Sequence, residues 1–292
     1  MLITLKKYSV ENIPIKLKYI LSKYKYSFNP SFVIHNKKNY LAIRLYEEEL
    51  NSFLFSWYDD GNIEIINLTE YFNKTEKISK VSDPKLFVMN DTLCGTFNTG
   101  YTQDYNNDIV LFEVRDFKID KYYFCDYNKR SFVEKNWAFY RVNNELFSLY
   151  SISPLIVLKE NKFNKNRIEF KEYYFDKNIE IGDYSIGTPM VKIDNKFLFI
   201  AHKKISWLGK RLYLGRPFTF MHIGKPKVQA RKIFLIHSII SLFGSTKKFN
   251  SNLISCSYFS GINYYKNKIQ LSYGINDVKS NIINIRIKKL WH

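Results

Sequence analysis

Cysteine is scarce. The three present (Cys94, Cys125, Cys256) are odd in number and show no CxxC spacing, so neither a disulfide framework nor a zinc site is indicated and a reducing compartment fits best. Long apolar runs are also missing. The longest, Ile233 to Phe243, is broken by His237 and two serines and falls well short of the roughly 20 residues that a membrane span needs. The opening MLITLKKYSVENIP has no long apolar core after its charges and no small-residue cleavage site, which is not the pattern of a secretory signal. A soluble, cytoplasmic protein with no transmembrane segment is expected.

Acidic residues are outnumbered, 27 against 45 Lys and Arg, for a net charge of +18. One segment has none at all: Lys203 to Lys248 carries Lys204, Lys210, Arg211, Arg216, Lys225, Lys227, Arg231, Lys232 and Lys247. A region of one sign favours an anionic substrate, an anionic or lipid-linked glycan acceptor, or peripheral contact with an anionic membrane surface. A general preference for Lys, Asn and Ile along the chain accounts for the charge equally well. Nucleic acid is not expected, because the charge comes without a recognisable binding motif.

What is abundant is apolar and aromatic: 46% hydrophobic residues, 17% of the chain Phe, Trp or Tyr. That is ample for a core and suits strands whose rings pack between sheets. The stretch SDPKLFVMNDTLCGTFNT, Ser82 to Thr99, reads as a β-hairpin with its turn at Asn90-Asp91 and a carboxylate at its mouth. The design recurs at 29 to 45, 136 to 151, 187 to 203 and, more loosely, 257 to 277. The spacing of the first four is roughly 50 residues, in the range of propeller blades. An all-β, five-bladed β-propeller filling one domain, 1–292, is therefore expected, with residues 1 to 10 adding a strand to the last blade. Residues 12 to 24 suit a short helix, 46 to 71 the outer strands of the first blade, and 205 to 256 a long loop or irregular blade.

In an antiparallel hairpin the start of the first strand and the end of the second share one end. The starts supply Asn29, Asp83, Lys135 with Asn136, and Thr188; the ends supply Arg44, Asn98, Ser151, His202 and Tyr273 to Asp277. Gathered around one axis, they make a polar mouth with a carboxylate, three candidate cations and several amides and hydroxyls, the composition of a sugar or sugar-phosphate site. Taken singly, each also has a plain structural reading: Asp83 before Pro84 is a turn former, Arg44 a strand-end charge, His202 a buried structural histidine and Lys135 a solvated charge.

Five motifs in order resemble the β-1,2-mannoside phosphorylases and related glycosidase-like propellers and mannosyltransferases. They are Phe28-Asn29-Pro30 with Arg44; Asp83-Pro84-Lys85; Glu134-Lys135-Asn136-Trp137 with Tyr150-Ser151; Gly187-Thr188-Pro189 with His202; and Ser272-Tyr273-Gly274 with Asn276-Asp277. The resemblance implies an inverting reaction on a carbohydrate, with phosphate attacking the anomeric carbon. Asp83 would be the catalytic acid, acting through a sugar hydroxyl. Arg44, Lys135, His202 and Tyr213 would hold phosphate, and Asn29, Asn136, Thr188 and Asp277 the sugar. It implies no cofactor and no metal, with inorganic phosphate or a sugar 1-phosphate as substrate. Lys85 stands where the family usually has Arg, Ala138 where it has Pro, and Asp108-Ile109-Val110 where phosphorylases tend to place a further Arg. These departures suit a divergent relative, such as a glycosyltransferase building a cell-surface glycan. A hydrolase of the same fold would need a carboxylate base roughly 6.5 to 9.5 Å from the acid, with Glu134 and Asp277 the candidates. A catalytically inactive glycan-binding propeller is the alternative from another class.

Overall fold

The computed structural model describes residues 1–101, 106–243 and 247–291. Strands dominate it and run as five successive antiparallel units. The first is Tyr26–His35, Lys38–Tyr46, Leu50–Trp57 and Ile63–Asn67. The second is Ser82–Met89, Thr92–Asn98, Ile109–Arg115 and Lys118–Tyr127. The third is Ala138–Val142, Glu145–Ile152, Leu155–Asn164 and Arg167–Asp176. The fourth is Val191–Ile193, Lys196–Trp207, Lys210–Met221 and Lys227–Ala230, with Tyr184–Ile186 also paired to its second strand. The fifth joins Leu253–Tyr265, Lys268–Ile275 and Lys279–Arg286 to Ser9–Val10 from the start of the chain. Of the strand expected from residues 1 to 10, only Ser9–Val10 forms the fifth unit's outer edge; Leu2–Thr4 pairs in parallel with Phe234–Ile236, and Leu5–Lys7 between them is a short 3-10 turn.

The turns explain why these residues fold locally. Two-residue connections of hairpins favour positive φ at both positions, which Asn and Asp tolerate best among residues with a side chain. Asn36-Lys37, Asn90-Asp91, Asn143-Asn144 and Lys266-Asn267 all have it. These turns lie at one end of the units. There Val33, Met89, Tyr140, Val191 and Ile262, one from each unit, line a single cavity of about 290 Å³. The five first hairpins therefore surround a common axis in a propeller-like arrangement.

Hydroxyls stitch neighbouring hairpins along that axis. Ser31 Oγ accepts from the Leu86 N–H (2.8 Å), Ser272 Oγ accepts from the Phe32 N–H (3.1 Å) and Ser260 Oγ donates to the Pro30 carbonyl (2.7 Å). All three serines are buried. Each bond engages a backbone group of a buried residue, which matters because an unpaired buried polar group is costly.

Four features differ from the sequence-based expectation. The sheets are not separate: Phe124–Tyr127 pairs in parallel with Arg167–Phe170, and Arg211–Tyr213 with Leu253–Cys256, merging units two with three and four with five. Residues 68 to 76 are helical, not strand. Asn67 caps the helix by accepting from the Glu70 N–H (3.1 Å), and Phe72 is fully buried between units, its ring 4.7 Å from that of Phe97. Ile282 to Leu290 reads as a last strand, but the strand stops at Arg286 and Lys288–Trp291 is a short helix. Lys210–Met221, expected in an irregular stretch, is a regular strand, while residues 244–246 of the basic segment lie outside the described residues. The expected helix in 12 to 24 is present as Ile15–Ser22. Cys94, Cys125 and Cys256 are free and buried. Among the described residues no helix is long and apolar enough to cross a membrane.

Where the fifth and first hairpins meet, a Cβ on Gly261 would lie 2.8 Å from Ser31 Cα and 3.0 Å from the Phe32 nitrogen. Backbone cannot yield as a side chain can, so Gly261→Ala is predicted to destabilise the protein by about 1–3 kcal/mol, the cost of overpacking. Denaturant unfolding checks it, and an unchanged midpoint would mean that the two hairpins are not tightly apposed.

Candidate active site

At the end opposite the turns, the units open through a recurring backbone device. Asn29 and Asp83, each followed by proline, both have φ near 51°, and Asn136 has φ 64°. Strand register slips at the first two, between Phe28 and Ser31 and between Ser82 and Lys85. Left-handed backbone favours Gly, Asn and Asp. Used in a bulge, it re-aims a side chain that strict alternation would send into a sheet face. Here the side chains meet: Asn29 Nδ2 donates to Asp83 Oδ1 at 2.9 Å. Gly274 makes room for this, since a Cβ there would sit 2.3 Å from Asn29 Oδ1.

Asp83 is the hub. Its Oδ1 also accepts from Arg44 Nη1 at 2.8 Å, and its Oδ2 accepts from the Tyr258 hydroxyl at 3.2 Å. The side chain keeps 19% exposure. Burial pushes its pKa up, but the charges of Arg44 and Lys85 and the Asn29 hydrogen bond outweigh it and hold the carboxyl below the usual range. In the free protein Asp83 is ionised at neutral pH. Arg44 packs over the Phe28 ring, 5.3 Å away, and its Nε is buried without a partner.

Lys85 is buried, with Nζ donating to Asn136 Oδ1 at 2.7 Å. Burial lowers its pKa to about 8 despite the opposing pull of Asp83. His202 is also buried, and its Nε2 accepts from the Phe259 N–H at 2.8 Å. The ring proton is therefore on Nδ1. Burial, with Lys85 nearby, lowers the pKa to about 3, so His202 is a neutral donor and not the cation that its position in the sequence suggested.

Asp83, Tyr213 and Tyr258 form the wall shared by two lobes of a cleft, about 500 and 480 Å³. Asn29, Arg44, Arg211 and Asp277 line the first lobe; Lys135, Asn136, Ser151, His202 and Lys204 line the second. The four residues assigned to phosphate are therefore divided: Arg44 in one lobe, Lys135 and His202 in the other, Tyr213 between them. Lys135 is exposed. Burial raises the Tyr213 phenol, with Arg211 opposing. Asp277 is raised by burial and by the charge of Asp83, against Arg44 and Arg211. Two carboxyls facing one lobe thus have pKa values pushed in opposite directions.

Two expectations need correction. Thr188 is not positioned as a sugar ligand, because its buried hydroxyl donates to the Pro189 carbonyl and accepts from the Ile200 N–H (2.8 and 3.0 Å), closing its own hairpin. Glu134, a candidate hydrolytic base, lines the second lobe but is braced there: Oε1 accepts from the Ser131 N–H and the Tyr150 hydroxyl, and Oε2 from Trp137 Nε1. Asn98 is likewise engaged locally, by the Ser82 carbonyl and the Gly100 N–H. No sequence motif marks Tyr258, and Arg211 stands in the sequence only as part of the basic segment. Tyr258 falls in the loosest hairpin copy, where a bulge between Phe259 and Gly261 hides the period.

No protein-family model matches the chain, and no curated protein matches it by sequence. Solved structures do match in fold. One comes from the GH130 family of mannoside phosphorylases, described as containing glycoside hydrolases that target β-1,2 mannosidic linkages in Candida mannan; it is 12% identical, with a TM-score of 0.63 over 90% of this chain and 85% of that one. A β-1,2-mannobiose phosphorylase from Listeria innocua, in complex with β-1,2-mannobiose, is 12% identical, with a TM-score of 0.61 over 92% of each chain. A GDP-mannose-dependent mannosyltransferase from Leishmania mexicana is 11% identical, with a TM-score of 0.57 over 89% and 85%. The resemblance drawn from the sequence motifs is thus matched by these structural neighbours.

Lys85 gives a test of the site's electrostatics that needs no substrate. Its folded pKa of about 8 lies below the ordinary 10.5, so between these values the unfolded chain holds a proton that the folded chain has released, and stability rises with pH across the window. Lys85→Arg stays charged throughout. The stability of the native protein relative to this variant is predicted to grow from pH 8 to 10.5 in denaturant titrations. Parallel curves would contradict a buried, depressed lysine.

Proposed function

We propose that the chain is a carbohydrate-active enzyme, a single five-bladed propeller whose cleft performs inverting, phosphate-dependent cleavage of a mannoside or, run in reverse, transfer from a sugar 1-phosphate to an acceptor. The observation that carries this reading is Asp83: a carboxylate at the junction of two lobes, held by Asn29, Arg44 and Tyr258, with basic side chains in both lobes. The fold shared with mannoside phosphorylases and a mannosyltransferase supports the substrate class.

Asp83 is ionised in the free site, so it must gain a proton before it can act as an acid. Phosphate supplies the means. A dianion drawn to the Arg44 guanidinium competes with Asp83 for its charge and adds a negative charge nearby, and both effects raise the Asp83 pKa. Phosphate oxygen then forms a bond to the anomeric carbon while the glycosidic C–O bond breaks, and the Asp83 proton passes to the departing oxygen through a sugar hydroxyl. Arg44 grips phosphate with a planar fork that suits two oxygens. Lys135, the His202 Nδ1–H and Tyr213 add donors from the other lobe, while Asn29, Asn136 and Asp277 orient the sugar. No cofactor enters the scheme.

One observation favours a second reading. Asp277 is raised and Asp83 lowered, the split expected of an acid and a base. In an inverting hydrolase Asp277 would protonate the leaving oxygen and Asp83 would activate water.

Variants separate the two. In the phosphorylase reading Asp83→Asn lowers turnover by roughly 10² to 10⁴, and Arg44→Ala chiefly weakens binding of phosphate or sugar 1-phosphate. Asp277→Asn then acts mainly through KM. Phosphate release from a panel of sugar 1-phosphates and acceptors provides the assay. Full activity of Asp83→Asn, or loss of turnover in Asp277→Asn without any response to phosphate, would overturn the phosphorylase assignment.

A further inference from the structure

The long hairpin of the fourth unit, Lys196–Trp207 with Lys210–Met221, is paired out to Trp207 opposite Lys210. Residues 204 to 210 are all exposed. At the tip Trp207 is 66% and Leu208 82% exposed. Leu208 also has φ 47°, followed by Gly209 at 73°. This is a two-residue turn like those at Asn36-Lys37, Asn90-Asp91, Asn143-Asn144 and Lys266-Asn267, except that an apolar residue stands where the others are polar. Phe117 is a comparable exception within a turn, but it is buried in the core. Leu208 packs on no core, so neither turn chemistry nor burial accounts for it.

A second apolar outcrop lies beside the first. The turn Ile240–Phe243 is tied to the neighbouring strand by Ser241 Oγ and Ser255 Oγ at 2.6 Å, and Ser255 pairs with Leu212 of the same hairpin. Ile240 is exposed and Phe243 is 83% exposed. Lys210 stands opposite Trp207 at the tip and Lys247 follows Phe243 along the chain, its Nζ also 5.2 Å from the Tyr26 ring; both are exposed, and no acidic residue occurs anywhere between Asp194 and Asp277. Other members of the basic segment are engaged elsewhere: Arg211 lines the cleft, Arg216 bonds the Tyr184 hydroxyl, Arg231 packs over Trp291 and Lys225 pairs with Asp176.

We propose that this face docks on an anionic lipid bilayer, with Trp207, Leu208 and Phe243 entering the headgroup region and the lysines resting on the lipid charges. A soluble polyanion would use the lysines but leaves the apolar tips unexplained. A bilayer uses both, since tryptophan favours the interface and each nearby lysine strengthens binding to anionic lipid about fivefold. The same hairpin carries Lys204 and Tyr213 into the cleft, so a docked molecule holds its cleft close to the membrane surface. This inference does not depend on the reaction.

The test uses the whole protein with vesicles of phosphatidylcholine alone and of phosphatidylcholine mixed with phosphatidylglycerol, read by co-sedimentation and tryptophan emission. Trp57 and Trp137 are buried, Trp291 is half-buried and Trp207 is exposed, so a blue shift that disappears in Trp207→Ser reports entry of the tip. Binding to the mixed vesicles only is expected, weakened by salt, by Leu208→Ser and, about fivefold or more, by Lys210→Glu. The tip is solvent-exposed, and circular dichroism confirms that the variants fold. Absence of binding, equal binding to neutral vesicles, or binding unaffected by Trp207→Ser and Leu208→Ser would overturn the proposal. So would association with dextran sulfate in place of vesicles.

Discussion

A carboxylate that is largely withdrawn from water must be paired, and the way Asp83 is paired constrains the rest of the molecule. Removing one partner of such an ion costs several kcal/mol. Its donors come from distant parts of the chain: Asn29 and Arg44 from the first unit and Tyr258 from the fifth. They reach Asp83 because the first hairpins of the first, second and fifth units lie side by side. The serine bonds of Ser31, Ser260 and Ser272 and the pairing of Ser9–Val10 with the last unit hold that arrangement. Site and fold are therefore mutually dependent. The carboxylate is satisfied because these hairpins are held together, and the polar mouth exists because they turn side chains inward there.

Turning those side chains inward requires unfavourable backbone. Left-handed φ at Asn29, Asp83 and Asn136 persists because the surroundings over-determine it. Proline follows the first two, strand pairing resumes on either side of each bulge, and Gly274 leaves the volume that Asn29 needs. Lys85 and His202 lie beneath the mouth and illustrate how environment resets chemistry. One is a lysine brought near neutrality, the other a histidine kept uncharged by burial and by the Phe259 N–H.

Much of this was legible in the sequence because it is repetitive and local. Asn- and Asp-rich turns mark the hairpins, and the recurrence of a polar residue at each mouth singled out Asn29, Asp83 and Asn136. What was not legible depends on how side chains are aimed and buried once the strands pair. Nothing near Glu134 reveals that Trp137, Tyr150 and Ser131 consume both its oxygens, and nothing near Thr188 reveals that Ile200 uses its hydroxyl. The charge of His202 is decided by burial, which a window of residues does not report. Tyr258 is missed because its hairpin copy is the least regular, and the helix Leu68–Glu76 because it is held by burial of Phe72 against Phe97 of another unit.

The central claim is that phosphate both completes the Asp83 site and attacks the sugar. It is tested most directly by following a β-mannoside in the presence and absence of inorganic phosphate by nuclear magnetic resonance. The account predicts no cleavage without phosphate and, with it, formation of the α-anomer of the sugar 1-phosphate, the configuration that a single inversion requires. Release of free sugar at the same rate whether or not phosphate is present would contradict it.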